Sequence, residues 1–129
     1  MATITVICAG MMGTAITYPA AHNGHTIRLV GSPLDNEIIE HGQKTGEHLN
    51  LSKYRKNNPT SGVDAPVVTP DNVTFHYFEE MEECIKGADL IICGVSSFGM
   101  DWFCNNVIPK LPEEIPLLSI SKGMIDDGE

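Results

Sequence analysis

The stretch from Thr3 to Val30 constrains the fold more than any other part of the chain. Thr3-Ile4-Thr5-Val6-Ile7-Cys8 is a short β-branched apolar run, Ala9-Gly10 ends it, and Met11 to Ala21 follows without a charged side chain. The pattern predicts a strand, a tight turn and a buried helix. Asn23-Gly24 then supplies a left-handed stop for the helix, and His25-Thr26-Ile27-Arg28-Leu29-Val30 returns as a second strand before Gly31-Ser32-Pro33 breaks it. A unit of about thirty residues in this order is a βαβ unit, its strands parallel and its crossover right-handed.

The alternation continues. A short helix is predicted from Leu34 or Asp35, with Ile38 and Ile39 as its apolar side, fading by Gly42. Gln43 to Asn72 is mostly polar, with Asn57-Asn58-Pro59, Ser61-Gly62, Pro66 and Pro70, and reads as a long surface excursion. Val73-Thr74-Phe75-His76-Tyr77 alternates as a strand. In Glu79 to Gly87, Met81, Cys84 and Ile85 fall at i, i+3 and i+4 behind an acidic first turn, and Lys86-Gly87 closes an amphipathic helix. Ala88 to Val95 is a near-continuous apolar run, as in a central parallel strand covered on both faces. A helix from Met100 to Lys110 carries Trp102, Phe103, Val107 and Ile108, and Leu117 to Ser121 is a last strand.

The expectation is an α/β fold of Rossmann type, a doubly wound and mostly parallel sheet. At 129 residues and 42% hydrophobic, the chain suits one domain over residues 1–129. Ligands of such sheets sit at the carboxyl ends of the strands. Those ends are Cys8-Ala9-Gly10, Gly31-Ser32, Val95-Ser96-Ser97 and Ser121-Lys122-Gly123.

Charge narrows the partners. Eight basic against 17 acidic residues give a net charge of -9 and a pI near 4.8, which repels nucleic acid and anionic membranes. No apolar run approaches the roughly 20 residues of a membrane span, and the N-terminus lacks a signal-peptide pattern, so a cytoplasmic protein is expected. Cys8, Cys84, Cys93 and Cys104 lie in apolar stretches without C-x-x-C spacing and read as reduced, buried side chains. His22, His25, His41, His48 and His76 show no ligand spacing beyond His22-x-x-His25, which flanks a turn; no metal is expected.

Cys8-Ala9-Gly10-Met11-Met12-Gly13 is a G-x-G-x-x-G fingerprint with its first glycine replaced. In the functional reading Gly10 lets the backbone approach a pyrophosphate and Gly13 lets the helix pack on the sheet. Free N–H groups at the helix start then meet the phosphates. The plainer reading is a turn with a close helix contact. The Cβ of Cys8 is expected to distort the turn and weaken cofactor binding. An acidic residue for the adenosine ribose belongs near Ser32-Pro33, where none stands. Asp35 is two residues late and reads more naturally as the cap of the following helix. No arginine follows Gly31 to attract a 2'-phosphate, and Arg28 lies inside a strand, so NAD or NADP is left open.

Several pieces together resemble the glycerol-3-phosphate dehydrogenase family. They are Ile4 to Ala15, Asn23-Gly24-His25, Ala88-Asp89-Leu90-Ile91-Ile92 with Val95-Ser96-Ser97, and Ser119-Ile120-Ser121-Lys122-Gly123, so the likeness runs from residue 4 to about residue 125. Ser121-Lys122-Gly123 is the most specific element; Cys8 and Ser96 depart from the family pattern. The resemblance implies NAD(P)-dependent interconversion of sn-glycerol 3-phosphate and dihydroxyacetone phosphate, a small phosphate substrate. Lys122 is then the catalytic residue at the carbonyl oxygen or phosphate. Ala9, Gly10, Met11, Met12, Gly13, Ser32, Ser97 and Phe98 form the cofactor-binding set.

The family has a second, mostly helical domain that this chain is expected to lack, so binding without turnover is expected of the chain alone. A non-catalytic nucleotide-binding module, or another two-domain NAD(P) dehydrogenase such as ketopantoate reductase or a UDP-sugar or opine dehydrogenase, is the alternative. Lys53-Tyr54-Arg55-Lys56 reads as a solvated loop, or as a contact for a substrate phosphate. Self-association as a homodimer is left open.

Overall fold

The computed structural model describes residues 1–49, 51–53 and 68–122. Five strands, β1 (Thr3–Ile7), β2 (Thr26–Val30), β3 (Val73–His76), β4 (Leu90–Cys93) and β5 (Leu117–Ser119), form one parallel sheet in the order β3-β2-β1-β4-β5. The β1 strand is central; Thr5 lies between Arg28 of β2 and Ile91 of β4. Helices α1 (Met11–Ala15), α2 (Thr17–His22), α3 (Asn36–Thr45), α4 (Met81–Ile85) and α5 (Met100–Asn106) run between the strands. The α/β, Rossmann-type expectation holds.

Because side chains alternate along a strand, both faces of the inner strands must be covered. Ile7, Ile91 and Cys93 pack with Met81, Ile85 and Phe103 of α4 and α5 on one face. Val6, Leu29 and Ile92 pack with Ala21 and Ile39 of α2 and α3 on the other. From β1 the chain steps outward through β2 to β3, then returns to β4 on the other side of β1 and on to β5. The order therefore reverses between β1 and β4, where a crevice opens at the carboxyl ends of the strands.

Several boundaries differ from expectation. The uncharged stretch after β1 is two short helices broken at Ile16, because Pro19 has no N–H to offer the Ala15 carbonyl. It is also only partly buried: Met11 and Met12 are 45% and 58% exposed. The α3 helix runs past Gly42 to Thr45, capped by Gly46 at φ 73°. Gly42 is a packing site, since a Cβ there would lie 2.4 Å from the Phe75 ring. Pro109 likewise shortens the predicted Met100 to Lys110 helix, leaving α5 and a single 3-10 turn, Ile108–Lys110.

The ends of the polar excursion are tied down. Glu47 bridges Val68, the Thr69 N–H donates to the Gly46 carbonyl at 2.8 Å, and His48 is fully buried. Residues 54–67, with Tyr54, Arg55 and Lys56, lie outside the described residues. Cys8, Cys84 and Cys93 are buried free thiols, but Cys104 is exposed on α5. Among the described residues no helix is long and apolar enough to cross a membrane.

Candidate functional site

The site begins where β1 ends. Cys8 sits at φ 83°, in the left-handed region, while its N–H donates to the Val30 carbonyl at 2.7 Å. The turn therefore forms with a cysteine in a conformation glycine adopts at least cost, at a strain of about 1–2 kcal/mol. The Cys8 side chain is 5% exposed, and burial pushes its thiol up to about 12, with Asp35 and Cys93 adding to the rise. A protonated buried thiol is inert, and Cys8 is a shape element here.

Ala9 follows, fully buried. Its N–H donates to Asp35 Oδ2 at 3.2 Å, and the same oxygen accepts the Ser32 N–H at 2.9 Å. Asp35 thus does not cap α3 with its side chain, as the sequence suggested; its carboxylate turns back onto two loops. The Ala9 carbonyl accepts from His48 Nε2 at 2.8 Å.

The three glycines of the crevice have distinct reasons to be glycine. A Cβ on Gly13 would lie 2.7 Å from the Cys8 carbonyl oxygen and 3.3 Å from the Gly94 Cα. One on Gly94 would lie 3.0 Å from the Gly13 Cα. Backbone touches backbone there, and α1 seats directly on the β1–β4 crevice. Gly10 is different: its φ of -69° suits any residue, and a Cβ would find only the Gly94 carbonyl oxygen, at an ordinary 3.7 Å. Among the described residues nothing requires a glycine at this position. A missing side chain facing a cavity leaves a cradle for the backbone approach of a ligand, which suits a pyrophosphate.

That cavity, about 590 Å³, opens at the strand-order reversal and is lined among others by Gly10, Ser32, Asp35, Gly94, Phe98 and Trp102. Its volume suits a small-molecule site. Leu34 and Phe98, lining it from the β2 and β4 sides, are 95% and 99% exposed. Trp102 is held by a tilted ring contact with Phe78, centroids 5.2 Å apart.

Of the residues singled out in the sequence, Gly10, Ser32 and Phe98 line this cavity. Ala9 lies buried behind it and Gly13 packs beneath it. Met11 and Met12 at the start of α1, and Ser97 beside Phe98, are exposed and do not line it. Lys122 is exposed and outside the lining, one residue beyond Ser121, whose hydroxyl donates to the carbonyl of the lining residue Val95. Gly123 lies outside the described residues. The sequence reading missed Gly94, whose signal was a glycine ending an apolar strand, and Trp102, named only as part of a helix. It also missed His48, whose contact with Ala9 spans 39 residues and leaves no local pattern.

Residues 3–129 match the family described as NAD-dependent glycerol-3-phosphate dehydrogenase N-terminus. The NADP(+)-dependent glycerol-3-phosphate dehydrogenase of Archaeoglobus fulgidus is 29% identical over 123 residues, covering 95% of this chain and 32% of that protein. The glycerol-3-phosphate dehydrogenase (NAD(P)+) of Chlamydia muridarum is 35% identical over 123 residues, covering 95% and 31%. The chain thus spans about a third of the length of these curated relatives. Among solved structures, the glycerol-3-phosphate dehydrogenase of Coxiella burnetii shares the fold, with a TM-score of 0.70 at 18% identity over 95% of this chain and 33% of that one.

Proposed function

This chain belongs to the family of NAD-dependent glycerol-3-phosphate dehydrogenase N-termini, and on that premise we propose that it binds NAD or NADP as part of an enzyme interconverting sn-glycerol 3-phosphate and dihydroxyacetone phosphate. The observation that carries the reading is Gly10, a glycine that neither its own conformation nor its neighbours require, facing the cavity at the strand-order reversal. The names of the relatives support glycerol 3-phosphate as a substrate and either dinucleotide as cofactor.

Within this reading Gly10 admits the pyrophosphate, Ala9 fixes the turn behind it and Gly13 holds α1 close enough for its first N–H groups to face the phosphates. Met11 and Met12 contribute those N–H groups rather than their side chains. Ser32, in the cavity lining, is assigned to the adenosine side, and Ser97 and Phe98 to the nicotinamide side, with Phe98 in the lining. A bound nicotinamide supplies the hydride chemistry. Lys122, at the carboxyl end of the sheet, holds its ammonium toward the substrate oxygen or phosphate as charge develops.

The position of Lys122 outside the cavity lining favours a second reading, a nucleotide-binding module without catalysis. One assay separates the two: reduced nicotinamide formed from sn-glycerol 3-phosphate with NAD+ or NADP+ by the whole enzyme of which this chain is proposed to be part, since the chain alone is expected to bind without turnover. The enzyme reading expects turnover, lowered at least about a hundredfold in kcat by Lys122→Ala with dinucleotide KM little changed. A whole enzyme that binds dinucleotide without turnover, or that turns over equally well as Lys122→Ala, contradicts the proposed catalytic role.

A further inference from the structure

The Ala9 backbone is held on both sides by side chains outside the glycine motif. Its N–H is bound by Asp35 Oδ2, at 3.2 Å, and its carbonyl by His48 Nε2, at 2.8 Å. Asp35 anchors itself to the end of β2 through the Ser32 N–H at 2.9 Å. His48 anchors itself through Nδ1, which accepts the Leu51 N–H at 3.2 Å. A carbonyl can only accept and a backbone N–H can only donate, so the buried imidazole is neutral with its proton on Nε2. Immediately before Ala9 stands Cys8 at φ 83°. An L-residue keeps such a conformation only where its surroundings over-determine it.

We propose that Asp35 and His48 are the positioning residues of the dinucleotide turn: they clamp the Ala9 backbone, which lets a cysteine stand in place of the first glycine and keeps the open side of Gly10 toward the pyrophosphate. The Asp35 carboxylate serves the turn, and the choice between NAD and NADP is made elsewhere. This rests on the dinucleotide reading above.

The test is a fluorescence titration with NADH and with NADPH of the unaltered protein, Asp35→Asn, Asp35→Ala, His48→Gln and His48→Phe, each melted in parallel. Asn and Gln retain a suitable acceptor and donor, so their affinities should stay within about threefold of the unaltered protein. Ala and Phe should weaken both dinucleotides at least about tenfold, with the NADH to NADPH ratio unchanged. In a Cys8→Gly background, where the left-handed position is relaxed, both losses should shrink. That background also covers the case in which Asp35→Ala or His48→Phe fails to fold alone: Cys8→Gly should then restore a cooperative melt. Unchanged affinity in Asp35→Ala and His48→Phe overturns the proposal. So does a tenfold change of the NADH to NADPH ratio in Asp35→Asn, or no relief from Cys8→Gly. Failure of the unaltered protein to bind either dinucleotide overturns the underlying reading as well.

Discussion

Gly10 and Gly13 belong to one motif and answer to different constraints. Gly13 is fixed by the chain itself, with Cys8 and Gly94 backbone atoms where its Cβ would go. Gly10 has a conformation any residue can adopt, and among the described residues only the Gly94 carbonyl oxygen lies within 4 Å of where its Cβ would go. His48 adds a constraint of its own. Burial holds its imidazole below the ordinary histidine value of 6.5, against the opposing pull of the Ala9 carbonyl and the Asp35 charge. The unfolded chain therefore takes up a proton at this residue before the folded protein does. Its stability contribution is fully present above pH 6.5 and is lost as the pH falls below that value toward the folded one. Urea midpoints should drop across this window, and His48→Gln should flatten the drop; an equally steep drop in His48→Gln would mean that another group is responsible. The glycine pattern was legible because its residues are adjacent in sequence. Asp35 and His48 were not, because each meets Ala9 across the fold.

At the scale of elements, sequence patterning found the five strands among the described residues, the buried face of α4, and Phe103 and Val107 at α5, though Ile108 beyond it is exposed. Where it misplaced an end, a single residue explains the error: Pro19 and Pro109 interrupt backbone ladders that side-chain patterning does not register. Gly42 misled in the other direction. It looked like a helix end and is instead the notch in α3 that receives Phe75, itself 6% exposed. Gly42→Ala therefore sets two effects against each other. The helix gains about 1 kcal/mol in propensity, while a methyl forced against a confined ring costs about 1–3 kcal/mol. Packing should win, with a net loss of up to about 2 kcal/mol in chemical denaturation; a stabilised variant would show that α3 can lift off β3 freely.

For the whole molecule, the parallel sheet follows from the strand and helix alternation in the sequence, whereas its reversal between β1 and β4, which places the cavity, is seen only in the fold. The walls of that cavity come from strand ends far apart in the chain, which is why Gly94 and Trp102 escaped the sequence reading while Gly10, Ser32 and Phe98 did not. The most direct measurement is a titration of the protein with NADH and with NADPH beside Gly10→Ala. The added methyl meets only the Gly94 carbonyl oxygen at 3.7 Å, so the variant should melt where the unaltered protein melts. Placed where the pyrophosphate approaches, it should weaken dinucleotide binding about tenfold or more. Saturable binding that Gly10→Ala loses at unchanged stability is the expected result; equal binding by both proteins, or by neither, would contradict a dinucleotide site at this turn.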